Sequence, residues 1–522
     1  MKRKQQQILL ILIGAILFNG LFWNEKMAIN TVLYDFFLLI VLLSLYPNAR
    51  QSSTVRWLLA GHLICLAMIV VHNTLLSKLA FSITLLLLIA FVQYVHRSIW
   101  FAAGSVLQNV TFTVPGLMEL IERTNAKSIR RKRLYKIIRL TLIPILLVFS
   151  FYLFYASGNS AFSELSSNFG KWLEKYLINF FDFFSWSRFF FFLAGIYITA
   201  SLLIKSKPTY FSAKDLSGND ILVRIKKNAK DRRQENLYGI VTFIMGRFGK
   251  GIMALKNLYT VGIISLILLN LLLLVVNFLD ISYIWFSFRP MEVSLYKVIH
   301  EGTNMLILSI ILAIIILLAF FRGNLNFFAR NKWLKRLANI WIIQNGILVV
   351  SVLLRDYYYI REAGLGRNRI GILFYLVLVV FGLLTVFWKI HRKKTIYYLF
   401  RVNGWAALAL LVIASLVNWD VFIVEYNLKR KNTIVLPVQY MATLSDEVLP
   451  LLYENREELK RHENLMKVNG FWDYRDCDGC WLKRLEERVN NFKKDEIAYS
   501  WLSWNLSDAS VSHYFNNHKL DN

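Results

Sequence analysis

The chain of 522 residues is 56% hydrophobic and only 18% charged, with a formal net charge of +28 at pH 7. Soluble globular proteins are about 45–50% apolar and about 25% charged, so this composition excludes an ordinary water-soluble fold and indicates a membrane protein. The basic excess does not indicate nucleic-acid binding, because most lysines and arginines lie in short connections between apolar runs and no groove-reading motif is present.

A helix needs about 20 mostly apolar residues to cross the bilayer core of about 30 Å. Eleven stretches approach or exceed that requirement: 8–23, 27–47, 57–74, 79–95, 137–157, 186–204, 257–280, 302–321, 337–354, 370–388 and 404–423. The first one follows Met1-Lys2-Arg3-Lys4 and has no small-residue cleavage site after it, so we interpret it as an uncleaved span. The sequence therefore predicts an all-α, polytopic transmembrane helix bundle of about 11 spans whose main partner is the lipid bilayer.

The distribution of basic residues predicts the orientation of these spans. With residues 1–7 on the inner side, the inner segments carry 35 lysines and arginines and the outer loops carry 10. Loops rich in lysine and arginine stay in the cytoplasm. We therefore expect a multi-pass protein of the bacterial inner (cytoplasmic) membrane with a cytoplasmic N-terminus and an extracytoplasmic C-terminus.

The composition changes after Val424, because residues 425–522 contain no spanning run and mix acids with bases. Helical patterns at 445–465 and 480–495 predict a soluble, mostly helical tail. The sequence thus divides into a transmembrane bundle, 1–424, and an extracytoplasmic tail, 425–522. The tail could form a small domain or pack onto the outer mouth of the bundle.

Two of the three cysteines form a C-x-x-C motif, Cys477-Asp478-Gly479-Cys480. On the extracytoplasmic side a disulfide between Cys477 and Cys480 would persist. Unpaired thiols, a redox-active pair or a metal site are the alternatives, although a metal would need further ligands. We predict no metal site and no cofactor.

Ionisable residues at the outer ends of the spans are candidates for a ligand-binding pocket, since such groups are costly in a membrane unless they pair or line a wet cavity. The candidates are His300, Glu301, Arg361, Arg369 and Asp420. His300 and Glu301 stand at the start of a predicted span, where the helix dipole favours an anion. The alternative interpretation is that all five residues are interfacial and pair with each other and with lipid headgroups.

Catalytic signatures are absent from the sequence. There is no G-x-S-x-G, no H-E-x-x-H and no G-x-x-x-x-G-K-[ST] motif. The sequence therefore gives no catalytic residue and favours a non-enzymatic protein.

Three separated segments carry a resemblance to a known family. They are Val298-Ile299-His300-Glu301-Gly302-Thr303, the loop Tyr359-Ile360-Arg361-Glu362-Ala363-Gly364-Leu365-Gly366-Arg367-Asn368-Arg369-Ile370, and Asn418-Trp419-Asp420-Val421-Phe422-Ile423-Val424-Glu425-Tyr426-Asn427. Together they resemble a bacterial family of polytopic inner-membrane proteins classed as a domain of unknown function. The resemblance covers roughly residues 260–450, and Gly366 stands where that family usually has threonine. It implies topology and location and transfers no catalytic residue.

Two hypotheses for function follow from the sequence. The first is a non-enzymatic envelope protein with an outward-facing surface for a ligand or an envelope protein partner, in a regulatory or scaffolding role. The second is a transporter or membrane enzyme that acts on an anionic or lipid-linked substrate.

Overall fold

The computed structural model of the protein describes residues 2–124, 162–168, 185–223, 254–286, 308–318, 331–430, 436–468 and 480–518, with single positions or short pieces at 144, 148, 151–152, 155, 306, 320–321 and 323–328. Within these ranges the regular elements are all helical, and the β-type pairing is limited to an isolated bridge between Ile221 and Lys394. The predicted all-α fold class is confirmed.

In the first half of the bundle the described helices with defined bounds are α1 (Lys2–Phe22), α2 (Ile29–Leu45), α3 (Ser53–Val71), α4 (Leu75–Gln93), α5 (Ile99–Thr111), α6 (Thr113–Thr124), α7 (Trp186–Leu203) and α8 (Tyr210–Leu216). Helix α1 packs on α7, and α3 packs on α4. Small residues let α1 and α7 approach closely, as is usual between membrane helices. A Cβ atom on Gly14 would overlap Cγ2 of Thr199, and one on Gly195 would lie 2.9 Å from Cδ1 of Phe18.

The second half contains α9 (Ala254–Asp280), α10 (Leu308–Leu318), α11 (Lys332–Ala363), α12 (Arg367–His391) and α13 (Ile396–Ser415). Helix α9 packs on α11, and α11, α12 and α13 follow one another as antiparallel neighbours joined by short turns. Helix α13 also contacts α3, α4 and α5. It therefore joins the two halves of the bundle.

Eight of the described helices are long and apolar enough to span a membrane: α1 (from Gln5), α3, α4, α7, α9 (with the turn that follows it), α11, α12 and α13. Helices α2 and α10 are apolar but shorter. Ten predicted spans thus coincide with apolar helices, and the remaining one, 137–157, lies largely outside the described residues. The chain is an integral membrane protein built as a helix bundle.

Loops predicted to share one side of the membrane meet at one end of the bundle. At the tail end, the backbone N–H of Ile29 donates to the carbonyl of Trp504 over 3.3 Å. At the opposite end, here called the loop end, the N–H of Thr395 donates to the carbonyl of Asp220 over 3.0 Å. These two contacts agree with the predicted topology, and the membrane face occupied by each end stays a prediction from the charge distribution.

Two sequence boundaries need correction. The last predicted span, 404–423, is two helices, because α13 ends at Ser415 and α14 (Trp419–Lys429) begins after Asn418. The side chain of Asn418 caps α14 by accepting the N–H of Val421 over 3.3 Å. The predicted inner loop 96–136 contains α5 and α6, whose 13 and 12 residues are too few to cross the bilayer core.

The tail adds α15 (Val438–Met441), α16 (Leu449–Glu454), α17 (Arg456–Val468), α18 (Cys480–Ala498) and α19 (Leu506–Asn517). Their apolar side chains form one core together with Leu365 and Ile370 of the bundle. Helix α14 runs through residue 424, where the sequence analysis divides the chain. The division into two domains at that residue stays a prediction.

Candidate functional site

The turn between α11 and α12 is fixed by a side chain from α14. Gly364 adopts a φ of +87°, which ends α11 in a conformation that favours glycine. Asn427 accepts the N–H of Leu365 through Oδ1 at 2.8 Å and donates to its carbonyl through Nδ2 at 2.9 Å. Asn427 is fully buried, so these two bonds satisfy an amide that would be costly to leave unpaired.

A forked ion pair joins the next residues to the same helix. Arg367 Nε donates to Oδ1 of Asp420 at 2.6 Å, and a second guanidinium N–H donates to Oδ2. Asp420 also accepts the N–H of Ser445 at 3.0 Å, and the N–H of Arg367 donates to the hydroxyl of Tyr440 at 2.8 Å. Burial by itself would raise the pKa of Asp420, but the hydrogen bonds from Arg367 and Ser445 outweigh it and hold the pKa below its usual range.

Two residues further along α12, Arg369 is buried against α11. Its Nη1 lies 3.3 Å from Oδ1 of Asp356, and its guanidinium lies 3.4 Å from the ring centre of Tyr359. The side chains of Arg369 and Asp356 are 7% and 0% exposed. A buried pair of this kind holds two helices in register, because removing either partner leaves an uncompensated charge.

The structure places the five predicted ligand-binding residues as follows. His300 and Glu301 lie outside the described residues. Arg369 and Asp420 lie at the same end of the bundle, but each pairs with its own partner, Asp356 or Arg367. Arg361 is exposed, with its guanidinium 5.3 Å from the ring centre of Tyr358. Ligand binding by this set stays a prediction.

Of the predicted thiol pair, Cys477 lies outside the described residues, and Cys480 is the first residue of α18 with its side chain not among those described. Among the described residues no three histidine, cysteine, aspartate or glutamate side chains come close enough to share a metal ion.

Sequence reasoning missed Asn427 and Tyr440 as organising residues. Asn427 closes the motif that carries the family resemblance, so the motif contained a signal for it. The contact of Tyr440 with Arg367 joins residues 73 positions apart, and no local pattern predicts such a contact.

The tail also carries a half-buried acid, Glu447. Asn418 donates a side-chain hydrogen bond to Oε2 of Glu447. Burial raises the pKa of Glu447 to about 7. The hydrogen bonds that Glu447 accepts lower this pKa, and the nearby carboxylates of Asp508 and Asp420 raise it further. Glu447 therefore titrates near neutral pH in the contact between tail and bundle.

A cleft of about 420 Å³ opens on the tail beside the turn between α1 and α2. Its lining includes Lys26, Tyr499, Trp501, Trp504, Asp508 and His513. Trp501 and Trp504 are 68% and 46% exposed. The cleft is anchored to the bundle, because the N–H of Lys26 donates to the hydroxyl of Ser503 at 2.8 Å and that hydroxyl donates to Glu25.

Comparison with known proteins identifies the bundle. Residues 36–455 match the family model of the domain of unknown function DUF4153. The chain belongs to the DUF4153 family. No curated protein and no solved structure matches it.

The DUF4153 match extends the resemblance in the sequence, which covered roughly residues 260–450, into the first half of the bundle. The pairs Arg367–Asp420 and Arg369–Asp356 and the turn at Gly364 all lie within the matched region. The lining of the tail cleft lies outside it, since Lys26 precedes residue 36 and the other lining residues follow residue 455. The cleft is therefore a feature of this chain outside the matched domain.

Proposed function

We propose that this DUF4153 protein is a non-enzymatic envelope protein of the bacterial inner membrane that binds a protein partner through the cleft of its tail. In this proposal the N-terminus is cytoplasmic, and the tail stands outside the cytoplasm in a regulatory or scaffolding role. The basic inner loops support the orientation.

The observation that carries the proposal is the exposed aromatic cleft. Tryptophan and tyrosine are enriched among the residues that contribute most to protein–protein binding, and Trp501, Trp504 and Tyr499 line one concave surface. Charged side chains, including Lys26 and Asp508, line the same cleft. An apolar centre with a polar rim is the usual arrangement of a protein interface.

The attachment of the tail to the bundle supports a scaffolding role. The tail core includes bundle residues, and the Arg367–Asp420 pair and the Asn427 contacts tie α14 to the start of α12. A partner bound in the cleft would be held at a fixed place relative to the membrane. Binding by a preorganised surface loses less conformational entropy than binding by a mobile tail.

The competing role is transport or catalysis on an anionic or lipid-linked substrate. Such a substrate would need cationic groups that are open to it, and Arg369 is buried against Asp356. Asp420 is likewise engaged, by Arg367 and Ser445. These contacts favour a structural use of the two predicted site residues.

The test is site-specific photo-crosslinking in intact cells. A photoreactive amino acid replaces Trp501 in the cleft, and the control replaces Glu457, an exposed residue on α17 that is not part of the cleft lining. We expect a discrete protein adduct from position 501 that is lost when Trp504→Ala is added. Adducts that are the same from both positions, or adducts to lipid alone, would contradict the proposal.

A further inference from the structure

An apolar groove runs between α12 and α13 on the outside of the bundle, away from the tail cleft. It has a volume of about 630 Å³. Its lining includes Val377 and Phe381 on α12 and Trp405, Ala409 and Ile413 on α13, with Arg401 as its charged residue. Val377, Ala409 and Ile413 are exposed. The groove therefore opens sideways toward lipid.

The length of the groove corresponds to one leaflet. Arg401 and Ile413 are 12 residues apart on α13, and a helix rises 1.5 Å per residue, so the groove is about 18 Å long. One leaflet contributes about half of the hydrocarbon thickness of about 30 Å. An extended acyl chain of a membrane lipid therefore fits along the groove.

Charge distinguishes the end of the groove that points toward the loop end. One guanidinium N–H of Arg401 donates to Oδ2 of Asp220 at 2.7 Å, and an N–H of Arg97 donates to the same oxygen at 3.1 Å. Nε of Arg401 is buried without a hydrogen-bond partner among the described residues. Two guanidinium groups thus share one carboxylate, whose other oxygen, Oδ1 of Asp220, is also buried without a hydrogen-bond partner among the described residues.

A second carboxylate near this end, that of Asp215, forms hydrogen bonds with other groups. Asp215 is fully buried and accepts hydrogen bonds from His96, from the hydroxyl of Tyr397 and from the backbone N–H groups of Arg97 and Ser98. Arg392, Lys393 and Lys394 precede α13 at the same end. Asp215 and Asp220 balance the charges of Arg97 and Arg401, so the positive excess at this end comes from Arg392, Lys393 and Lys394. That excess favours an anion, as basic pockets between membrane helices do for lipid headgroups.

We propose that the groove between α12 and α13 binds one acyl chain of an anionic phospholipid of the surrounding bilayer, with the lipid phosphate beside Arg401. The apolar walls replace neighbouring lipid tails, and the phosphate is attracted by the guanidinium groups of Arg401 and Arg97, whose side chains are 23% and 35% exposed. The site is independent of the partner-binding role proposed for the tail.

The experiment uses the full-length protein in mild detergent and native mass spectrometry. Phosphatidylglycerol and phosphatidylcholine with identical acyl chains are added in equal amounts. We expect the protein to retain phosphatidylglycerol preferentially. A cationic side chain near the membrane surface favours an anionic lipid by about fivefold, so Arg401→Gln is expected to reduce the preference by about that factor. Arg401→Lys, which keeps the charge, is expected to keep most of it.

Filling the groove tests its position. Ala409→Trp places a large side chain in the groove without touching the ion pairs, and we expect it to lower retention of both lipids. The matched control is Leu272→Trp, at a position on α9 that is 63% exposed and is not part of the groove lining. Equal retention of the two lipids by the unmodified protein would overturn the proposal, and so would identical retention by the two tryptophan variants.

Discussion

Arg367 and Asp420 form a forked ion pair that joins the first residue of α12 to the first turn of α14, with Arg367 Nε 2.6 Å from Oδ1 of Asp420. The side chain of Asp420 is 8% exposed, and the side chain of Arg367 is 55% exposed. The pair therefore stands where the membrane bundle passes into the tail. It fixes the start of the tail relative to the turn after α11.

The first prediction concerns this pair. We expect Asp420→Asn to lower the free energy of unfolding by about 1–2 kcal/mol, because a charge-assisted contact is lost while Arg367 can still reach water. Arg367→Lys keeps the charge but loses the fork, so it should fall between the native protein and Arg367→Ala. Thermal unfolding in detergent measures the order of stability of the variants. Equal melting temperatures for all variants would show that the pair does not contribute to stability.

The second prediction concerns Glu447 and pH. Because the pKa of Glu447 is raised to about 7 from its usual value of 4.5, the protonated acid stabilises the folded contact. This stabilisation is fully present below about pH 4.5 and is lost as the pH rises through about 7. We expect protease cleavage within the tail to accelerate between pH 5.5 and 8, as a rough window set by that shift.

The control for this pH dependence is Glu447→Gln, which keeps the shape and stays neutral. It should remove the dependence on pH in that window while leaving cleavage at low pH unchanged. A cleavage rate that still depends on pH in the Gln variant would assign the titration to another group.

The third prediction concerns Gly364. A Cβ atom at this position would lie 2.8 Å from Oδ1 of Asn427 and 3.1 Å from Cδ of Pro437, and the φ of +87° is itself unfavourable for other residues. We expect Gly364→Ala to destabilise the protein by about 1–3 kcal/mol. Gly371→Ala is the matched control, because it lies within α12 with no atom within 4 Å of the added Cβ. That variant should be neutral or slightly stabilising, and a comparable loss of melting temperature in both would contradict the assignment.

The fourth prediction concerns a buried pair between α2 and α3. Nε2 of His62 lies 3.1 Å from both carboxylate oxygens of Asp35, and Nδ1 lies 3.0 Å from Oγ1 of Thr84. His62 and Asp35 are 0% and 1% exposed. We expect Asp35→Leu to cost about 3–5 kcal/mol, because it leaves Nε2 of His62 without a partner in an apolar bundle.

The double variant Asp35→Leu with His62→Leu should lose less than the sum of the two single variants, because it removes both polar partners together. Unfolding in mixed micelles with increasing dodecyl sulfate measures the three variants. Additive losses would show that the two residues act independently.

The fifth prediction concerns orientation. After replacement of the native cysteines by serine, Trp501→Cys should react with a membrane-impermeant maleimide in intact cells. Lys393→Cys, at the loop end, should react only after the cells are permeabilised, because basic loops remain in the cytoplasm. Labelling of position 393 in intact cells would reverse the proposed orientation.

The sequence by itself determined the fold class and the positions of most membrane helices. The length of an apolar segment and the alternation of basic loops can be counted along the sequence. In lipid each such segment must form a helix, because only then are its backbone N–H and C=O groups hydrogen-bonded. The motif around Gly364 and the Asp…Tyr-Asn ending at Asn427 also marked the region that the structure organises. Those features follow from local composition.

The tertiary structure alone decided what the charged residues at the tail end do. The sequence grouped Arg361, Arg369 and Asp420 because they stand at the same predicted level of the membrane. The depth of a residue in the membrane does not predict which partner its side chain contacts. In the structure Arg369 pairs with Asp356, and Asp420 pairs with Arg367. The break after Ser415 also escaped the hydropathy pattern, because the apolar residues of α14 continue the run beyond the cap at Asn418.

The two clefts were likewise a result of packing. The tail cleft joins Lys26 to residues more than 460 positions later, and the groove between α12 and α13 is lined by residues of two neighbouring helices. Side-chain pairing and surface concavity are set by three-dimensional contacts between distant segments. The pattern of residues along the chain predicts the helices, whereas the sites form only when the helices pack together.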